Sequence, residues 1–159
     1  MGPIIDSTSP DLSAFKARGG KLLMYHGWAD PLVNPRNSIN YFESVVATER
    51  PGNGRGVGED RLALRRTQEY LRLFMAPGMA HCTSGPGLNT FDTLTALETW
   101  VERGVPPDEL IATHTNLAFP VNVESMPAGD FSRPLCPYPE AARWTGKGSP
   151  TDAANFVCH

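Results

Sequence analysis

Two short apolar runs, each ending in a loop rich in breakers, set the hydrophobic pattern of this chain. Lys21-Leu22-Leu23-Met24-Tyr25 follows Gly19-Gly20 and enters His26-Gly27-Trp28-Ala29-Asp30-Pro31. Leu71 to Ala76 is stopped by Pro77-Gly78. Runs of this length bounded by Gly and Pro read as buried strands entering loops. Between them, Ile39, Phe42, Val45 and Val46 recur at helical spacing. Asn34 caps that helix and Pro35 takes its first position, a pairing that suits a helix start. The four glycines of 51–60 predict an exposed, flexible excursion, and Leu62 to Gln68 a short helix after it. Beyond the second run, Phe91, Leu94, Leu97, Trp100 and Val101 mark the apolar face of another helix. Asn89 is its expected cap, with Asp92 at the third position as in a capping box. Gly104 and Pro106-Pro107 stop it. Leu110 to Thr115 predicts a third, shorter strand.

The ends are less regular. Asp11 to Phe15 predicts one helical turn, ended by Gly19-Gly20. From Asn116 onward no long periodic element is visible. Phe119-Pro120, Met126-Pro127, Arg133-Pro134, Cys136-Pro137 and Tyr138-Pro139 punctuate a tail that reads as an ordered strap packed over the domain. Because that tail lacks periodic structure, Cys136 and Cys158 are expected to staple it as a disulfide, which implies an oxidising compartment. The order strand, helix, strand, helix, strand is βαβαβ. It predicts an α/β architecture with a short parallel sheet, flanking helices and a Pro-rich C-terminal strap. Residues 1–159 are expected to form a single domain. Right-handed crossovers place the loops carrying Asp30 and His81 at the same sheet edge.

Composition narrows the classes of function. The 159 residues are 40% hydrophobic and 19% charged, with a net charge of -3, as in a soluble globular chain. No basic footprint for nucleic acid is present. No apolar run approaches the roughly 20 residues that span a bilayer. Met1 to Pro10 lacks the charged and apolar regions of a signal peptide. Three cysteines leave one without a partner in this chain.

Candidate chemistry lies in the two loops. Open α/β sheets place their chemistry just past the ends of strands, where Asp30 and His81 sit. An aspartate that accepts a hydrogen bond from one imidazole nitrogen fixes the tautomer and stabilises the imidazolium, and the other nitrogen moves a proton to and from a nucleophile. In α/β-hydrolases the order along the chain is Ser, then Asp or Glu, then His. Asp30 and His81 keep that order. Ser7, Ser9 and Ser13 precede Asp30, yet none stands in a Gly-x-Ser-x-Gly elbow, and Ser84 follows the histidine. Cys82 is a poor substitute nucleophile, because neighbouring side chains on an extended loop point apart. Blander roles compete at each position. Asp30 before Pro31 also suits a turn cap, and His26 reads as part of the strand-end turn. His26, Asp30, His81 and Cys82 fit no recognised zinc spacing. Trp28 suits packing as well as substrate contact, and Trp100 suits the core. Arg133 and Arg143 suit strap anchoring or solvation more than binding of an acid.

Three motifs in order make the chain recognisable: Gly20 to Pro31, Met79-Ala80-His81-Cys82 with Gly85-Pro86-Gly87, and Arg133-Pro134-Leu135-Cys136-Pro137-Tyr138-Pro139. Together they resemble the C-terminal portion of the tannase and feruloyl esterase family. The resemblance implies part of an α/β-hydrolase core and a secreted or periplasmic carboxylic ester hydrolase acting on small aromatic-acid esters. It implies that Asp30 is the triad acid and His81 the triad base. It further implies that Cys82 is half of a disulfide whose other cysteine, in a Cys-Ser motif with the nucleophile, lies outside these 159 residues. The lid, where many members bind calcium, is likewise outside, so no cofactor is expected in this chain. Alone, the chain is expected to be inactive. A non-catalytic α/β module that binds a partner chain is the alternative, and an open sheet edge at Lys21 to Tyr25 is the expected place for self-association or a partner.

Overall fold

The computed structural model describes residues 7–52, 56–82, 84–114 and 131–159. Strand β1 (Leu22–Gly27) pairs in parallel with β2 (Leu71–Ala76), from Leu22 opposite Leu71 to Gly27 opposite Ala76. Both expected strands form, and β1 runs two residues further than the apolar run. Gly27 permits this: a Cβ there would collide with the backbone carbonyls of Met79 and Ala80. Strand β2 is buried on both faces, as parallel strands are. Alternation sends Leu71, Leu73 and Met75 to one core, and Phe74 and Ala76 to the other.

The first core is built with helices. A short α1 (Ser13–Ala17) lies ahead of β1 and sends Phe15 against it. Helix α2 (Arg36–Thr48) buries Ile39, Phe42 and Val45 at the expected spacing. The Asn34 side chain accepts from the Arg36 N–H at 3.0 Å, which realises its capping role. Helix α3 (Val57–Gln68) begins earlier than expected. Its first turn takes over the second half of the glycine excursion, because Glu59 reaches back to the Gly56 N–H at 3.2 Å and Asp60 pairs with Arg50 at 2.7 Å. Acidic residues in a first turn also oppose the positive end of the helix dipole. Residues 53–55 of that excursion lie outside the described residues.

The second core gathers Phe74, Ala76, Met79, Leu88, Leu110, Ala112 and Leu135. Here two expectations fail. Helix α4 (Thr93–Arg103) is capped by Asp92, which accepts from the Thr95 N–H at 2.9 Å, and not by Asn89. Asn89 is instead buried, and its backbone N–H bonds the Thr113 carbonyl at 3.0 Å. Trp100 is the buried residue of α4, whereas Leu94 and Val101 are 66% and 60% exposed. Gly104 ends the helix in the left-handed region as expected, at φ 67°.

Strand β3 (Leu110–Thr113) does not join β1 and β2. It pairs antiparallel with β4 (Ser132–Leu135), Leu110 opposite Leu135. The free edge of β2 is taken by the strap: Phe74 bridges to Pro137, and the Tyr138 N–H bonds the Leu73 carbonyl at 2.7 Å. The parallel sheet therefore has two strands among the described residues. Tyr138 also packs edge-on against Phe42 and donates to Glu43 at 2.8 Å, tying the strap to α2. The tail closes with a hairpin of β5 (Ala142–Trp144) and β6 (Phe156–Cys158). The Cys136–Cys158 disulfide forms, with its Cα atoms 5.5 Å apart. Phe119-Pro120 and Met126-Pro127 lie outside the described residues.

Candidate active site

The loop after β1 and the loop after β2 are bonded to each other through backbone. The Trp28 N–H donates to the Ala76 carbonyl at 2.9 Å, and the Ala29 N–H to the Met79 carbonyl at 3.0 Å. The second loop folds back on itself, with the Gly87 N–H bonded to the Gly78 carbonyl at 3.0 Å. Gly78 has φ +74°, and a Cβ there would crowd the Gly87 backbone. These contacts fix the distance between Asp30 and His81, 51 residues apart in sequence.

His81 Nδ1 lies 2.8 Å from Asp30 Oδ2. The Asp30 side chain is 4% exposed and that of His81 is 42% exposed. Asp30 also serves the turn. Its Oδ1 accepts the N–H groups of Leu32 at 2.8 Å and Val33 at 3.0 Å. Turn cap and histidine partner are thus the two oxygens of one carboxylate. Burial pushes the Asp30 carboxyl up, but the Val33 N–H, the His81 bond and charge, and the Leu32 N–H together outweigh it. They hold the carboxyl well below the usual carboxylate range, so Asp30 is ionised at neutral pH. With Nδ1 facing this acceptor, a neutral His81 carries its proton there and keeps a lone pair on Nε2. Among the described residues Nε2 of His81 has no hydrogen-bond partner.

Around the pair is a hollow of about 290 Å³ lined by Tyr25, His26, Val33, Met79 and Cys82. Cys82 is exposed and outside any disulfide of this chain. Its φ is +62°, an uncommon conformation for a residue with a Cβ. His26 does more than shape a turn. Its Nε2 lies 3.1 Å from Asp30 Oδ2, and its Nδ1 lies 2.7 Å from Ser38 Oγ. The i,i+4 spacing of His26 and Asp30 and the place of Ser38 at a helix start were visible in sequence. Neither signal by itself indicates a shared carboxylate oxygen. Among the described residues, no group of three or more His, Cys, Asp or Glu is arranged to hold a metal ion. Trp28 is 43% exposed and borders a second cavity, of about 500 Å³, under the strap. Arg133 stacks on the Phe156 ring at 4.1 Å, which anchors the strap. Arg143 is exposed on β5, and Trp100 is core.

An imidazole held by a buried carboxylate, on loops at the ends of adjacent parallel strands, is an acid–base arrangement of the α/β-hydrolase type. The family model for tannase and feruloyl esterase matches residues 1–159, and the chain belongs to that family. An uncharacterized esterase of Xanthomonas campestris pv. campestris is 42% identical, over 99% of this chain and 29% of the relative. A mono(2-hydroxyethyl) terephthalate hydrolase of Piscinibacter sakaiensis is 39% identical, over 96% of this chain and 22% of the relative. The structure of a tannin acyl hydrolase from Aspergillus niger superimposes with a TM-score of 0.74 at 28% identity, covering 96% of this chain and 25% of that one. The chain thus spans less than a third of the length of these relatives, and it is a partial portion of the family's carboxylic ester hydrolase domain.

Proposed function

We propose that this chain supplies the acid and the base, Asp30 and His81, of a serine-type acyl transfer that hydrolyses esters of small aromatic acids. The observation that carries this reading is the 2.8 Å contact between His81 Nδ1 and the ionised Asp30, which leaves the exposed imidazole Nε2 free to move a proton. His81 takes the proton of a serine hydroxyl as that oxygen attacks the ester carbonyl, and returns it to the departing alcohol. Water then attacks the acyl-serine by the same route. The serine comes from a segment outside these 159 residues, because no serine in the chain stands in a Gly-x-Ser-x-Gly elbow. Cys82 bridges to a cysteine beside that serine and ties the two halves together. The Cys136–Cys158 bridge supports a secreted or periplasmic setting. The described residues show no donor set for calcium, and no step is assigned to it.

The test is complementation. The purified chain alone is expected to leave p-nitrophenyl acetate and methyl gallate intact. Co-expressed with a family segment bearing the Cys-Ser motif, it is expected to turn them over, and His81→Ala is expected to abolish that turnover. Hydrolysis by the chain alone, lost in His81→Ala, would reveal a nucleophile within these 159 residues. Complemented turnover that survives His81→Ala would remove the assignment of His81 as base.

A further inference from the structure

We propose that His26 is a positioning residue for the acid–base pair: its Nε2–H holds the same carboxylate oxygen that His81 uses, while Ser38 seats the ring through its other nitrogen. The inference rests on the reading of Asp30 and His81 as acid and base. Asp30 Oδ2 lies 2.8 Å from His81 Nδ1 and 3.1 Å from His26 Nε2. The same Nε2 faces the Val33 carbonyl at 3.2 Å. A carboxylate and a carbonyl only accept, so Nε2 must carry the ring proton. In a neutral ring Nδ1 is then the acceptor, and Ser38 Oγ, 2.7 Å away, donates to it. The chain of bonds has one direction: Ser38 O–H to His26, His26 N–H to Asp30. It joins the first turn of α2, the end of β1 and the loop beyond. The His26 side chain is 12% exposed, so water competes little for these bonds.

Packing alone does not account for this arrangement, because a histidine that only filled space would need neither a fixed tautomer nor two aligned partners. The Leu32 and Val33 N–H groups pin Oδ1. Rotation about Cβ–Cγ moves both oxygens together, so a donor on Oδ2 restrains from the other side the same motion that the Oδ1 bonds oppose. The His26 donor adds that restraint and helps to set the direction from which Oδ2 meets His81. It also shares the charge on Oδ2, which moderates the pull on the His81 proton. Besides Ser38, Asp30 and the Val33 carbonyl, Tyr25, His81 and Cys82 are the polar or titratable side chains among the described residues that line the hollow His26 borders.

Nitrogen-15 NMR of the imidazoles in the full chain reads the tautomers without any substitution. The expected result is a neutral His26 protonated on Nε2 and His81 protonated on Nδ1. A His26 ring protonated on Nδ1 alone would overturn the proposal. Substitution separates positioning from packing. His26→Phe keeps a ring but no donor, and the His81 Nδ1–H resonance is expected to broaden and shift. His26→Gln returns an amide donor near the Nε2 position and is expected to restore it. An unchanged His81 resonance in both variants counts against the proposal. Should His26→Phe fail to fold, Ser38→Ala removes only the hydroxyl that seats the ring and is expected to shift the His81 Nδ1–H resonance while His26 stays protonated on Nε2; an unshifted His81 resonance there counts against the proposal. In the complemented esterase, His26→Phe is expected to lower kcat roughly tenfold or more at unchanged KM, with His26→Gln close to the parent. A complemented protein without turnover, its NMR pattern intact, strikes the acid–base reading and not the His26 contact. Turnover insensitive to His26→Phe strikes this inference alone.

Discussion

Asp30 accepts four hydrogen bonds, two from backbone and two from imidazoles, and this saturation gives it a pH signature. Its folded-state acidity is stronger than that of an unfolded aspartate. A group of this kind contributes stability that is present above its unfolded pKa, about 3.9, and lost as pH falls through the folded value. The stability gap between the parent chain and Asp30→Asn is therefore expected to be widest near neutrality and to shrink on acidification below about pH 4. Thermal melts across that range check it, and a gap that is the same at every pH would contradict it. In the complemented esterase the same substitution is expected to cost about 10⁴-fold in kcat, because an amide favours the wrong His81 tautomer. Asp30 and His81 were legible in sequence because each follows an apolar run that ends in breakers, and strand ends in such sheets carry chemistry. His26 was not, since its role depends on where β1 stops. The strand continues to Gly27 and turns the imidazole toward Asp30, and that extension is permitted by the absence of a Cβ against Met79 and Ala80.

Legibility of the elements follows how locally each is determined. Strand β2 and helix α2 carry their own patterns and stand where the pattern puts them. The start of α4 does not, because Asn89 spends its backbone N–H on Thr113, a partner 24 residues downstream that no local motif reveals. Strands β4, β5 and β6 have three or four residues each, too few for a period of two to show. What sequence did mark was their staple. Cys136 and Cys158, 22 residues apart, enclose the β5–β6 hairpin and the strap segment that crosses the edge of β2. Closing a loop of that size contributes about 3 kcal/mol in the chain-entropy account. The paired Cys136→Ser, Cys158→Ser variant is expected to lose about that much in urea unfolding, with the β1–β2 pair still formed at low denaturant. A variant as stable as the parent would mean that Tyr138, through Phe42 and Glu43, holds the strap without the bridge.

At the scale of the whole molecule, the outer edge of β1 is where this chain is expected to meet another strand. Among the described residues β1 has one strand partner, β2. A strand paired on one side only offers its other backbone N–H and C=O groups as a template for another strand. The side chains at and beyond that strand are apolar and open: Tyr25 is 44% exposed, Trp28 43% and Leu32 75%. Tyr25 has an aromatic neighbour in Phe91, centroids 5.1 Å apart, and remains exposed all the same. Surface of this kind, beside a candidate active site, fits a further strand of the same sheet better than water. The purified chain is therefore expected to associate with itself as concentration rises, in light scattering after size-exclusion chromatography. Addition of the Cys-Ser segment is expected to return it to a one-to-one complex. Hydrogen exchange locates the contact: alternate amides of Leu22–Gly27, those turned away from β2, are expected to exchange rapidly in the dilute chain and slowly in the complex. Slow exchange of all six amides in a dilute monomer would mean that the edge is already covered, and the complementing segment would then have to dock elsewhere on the domain.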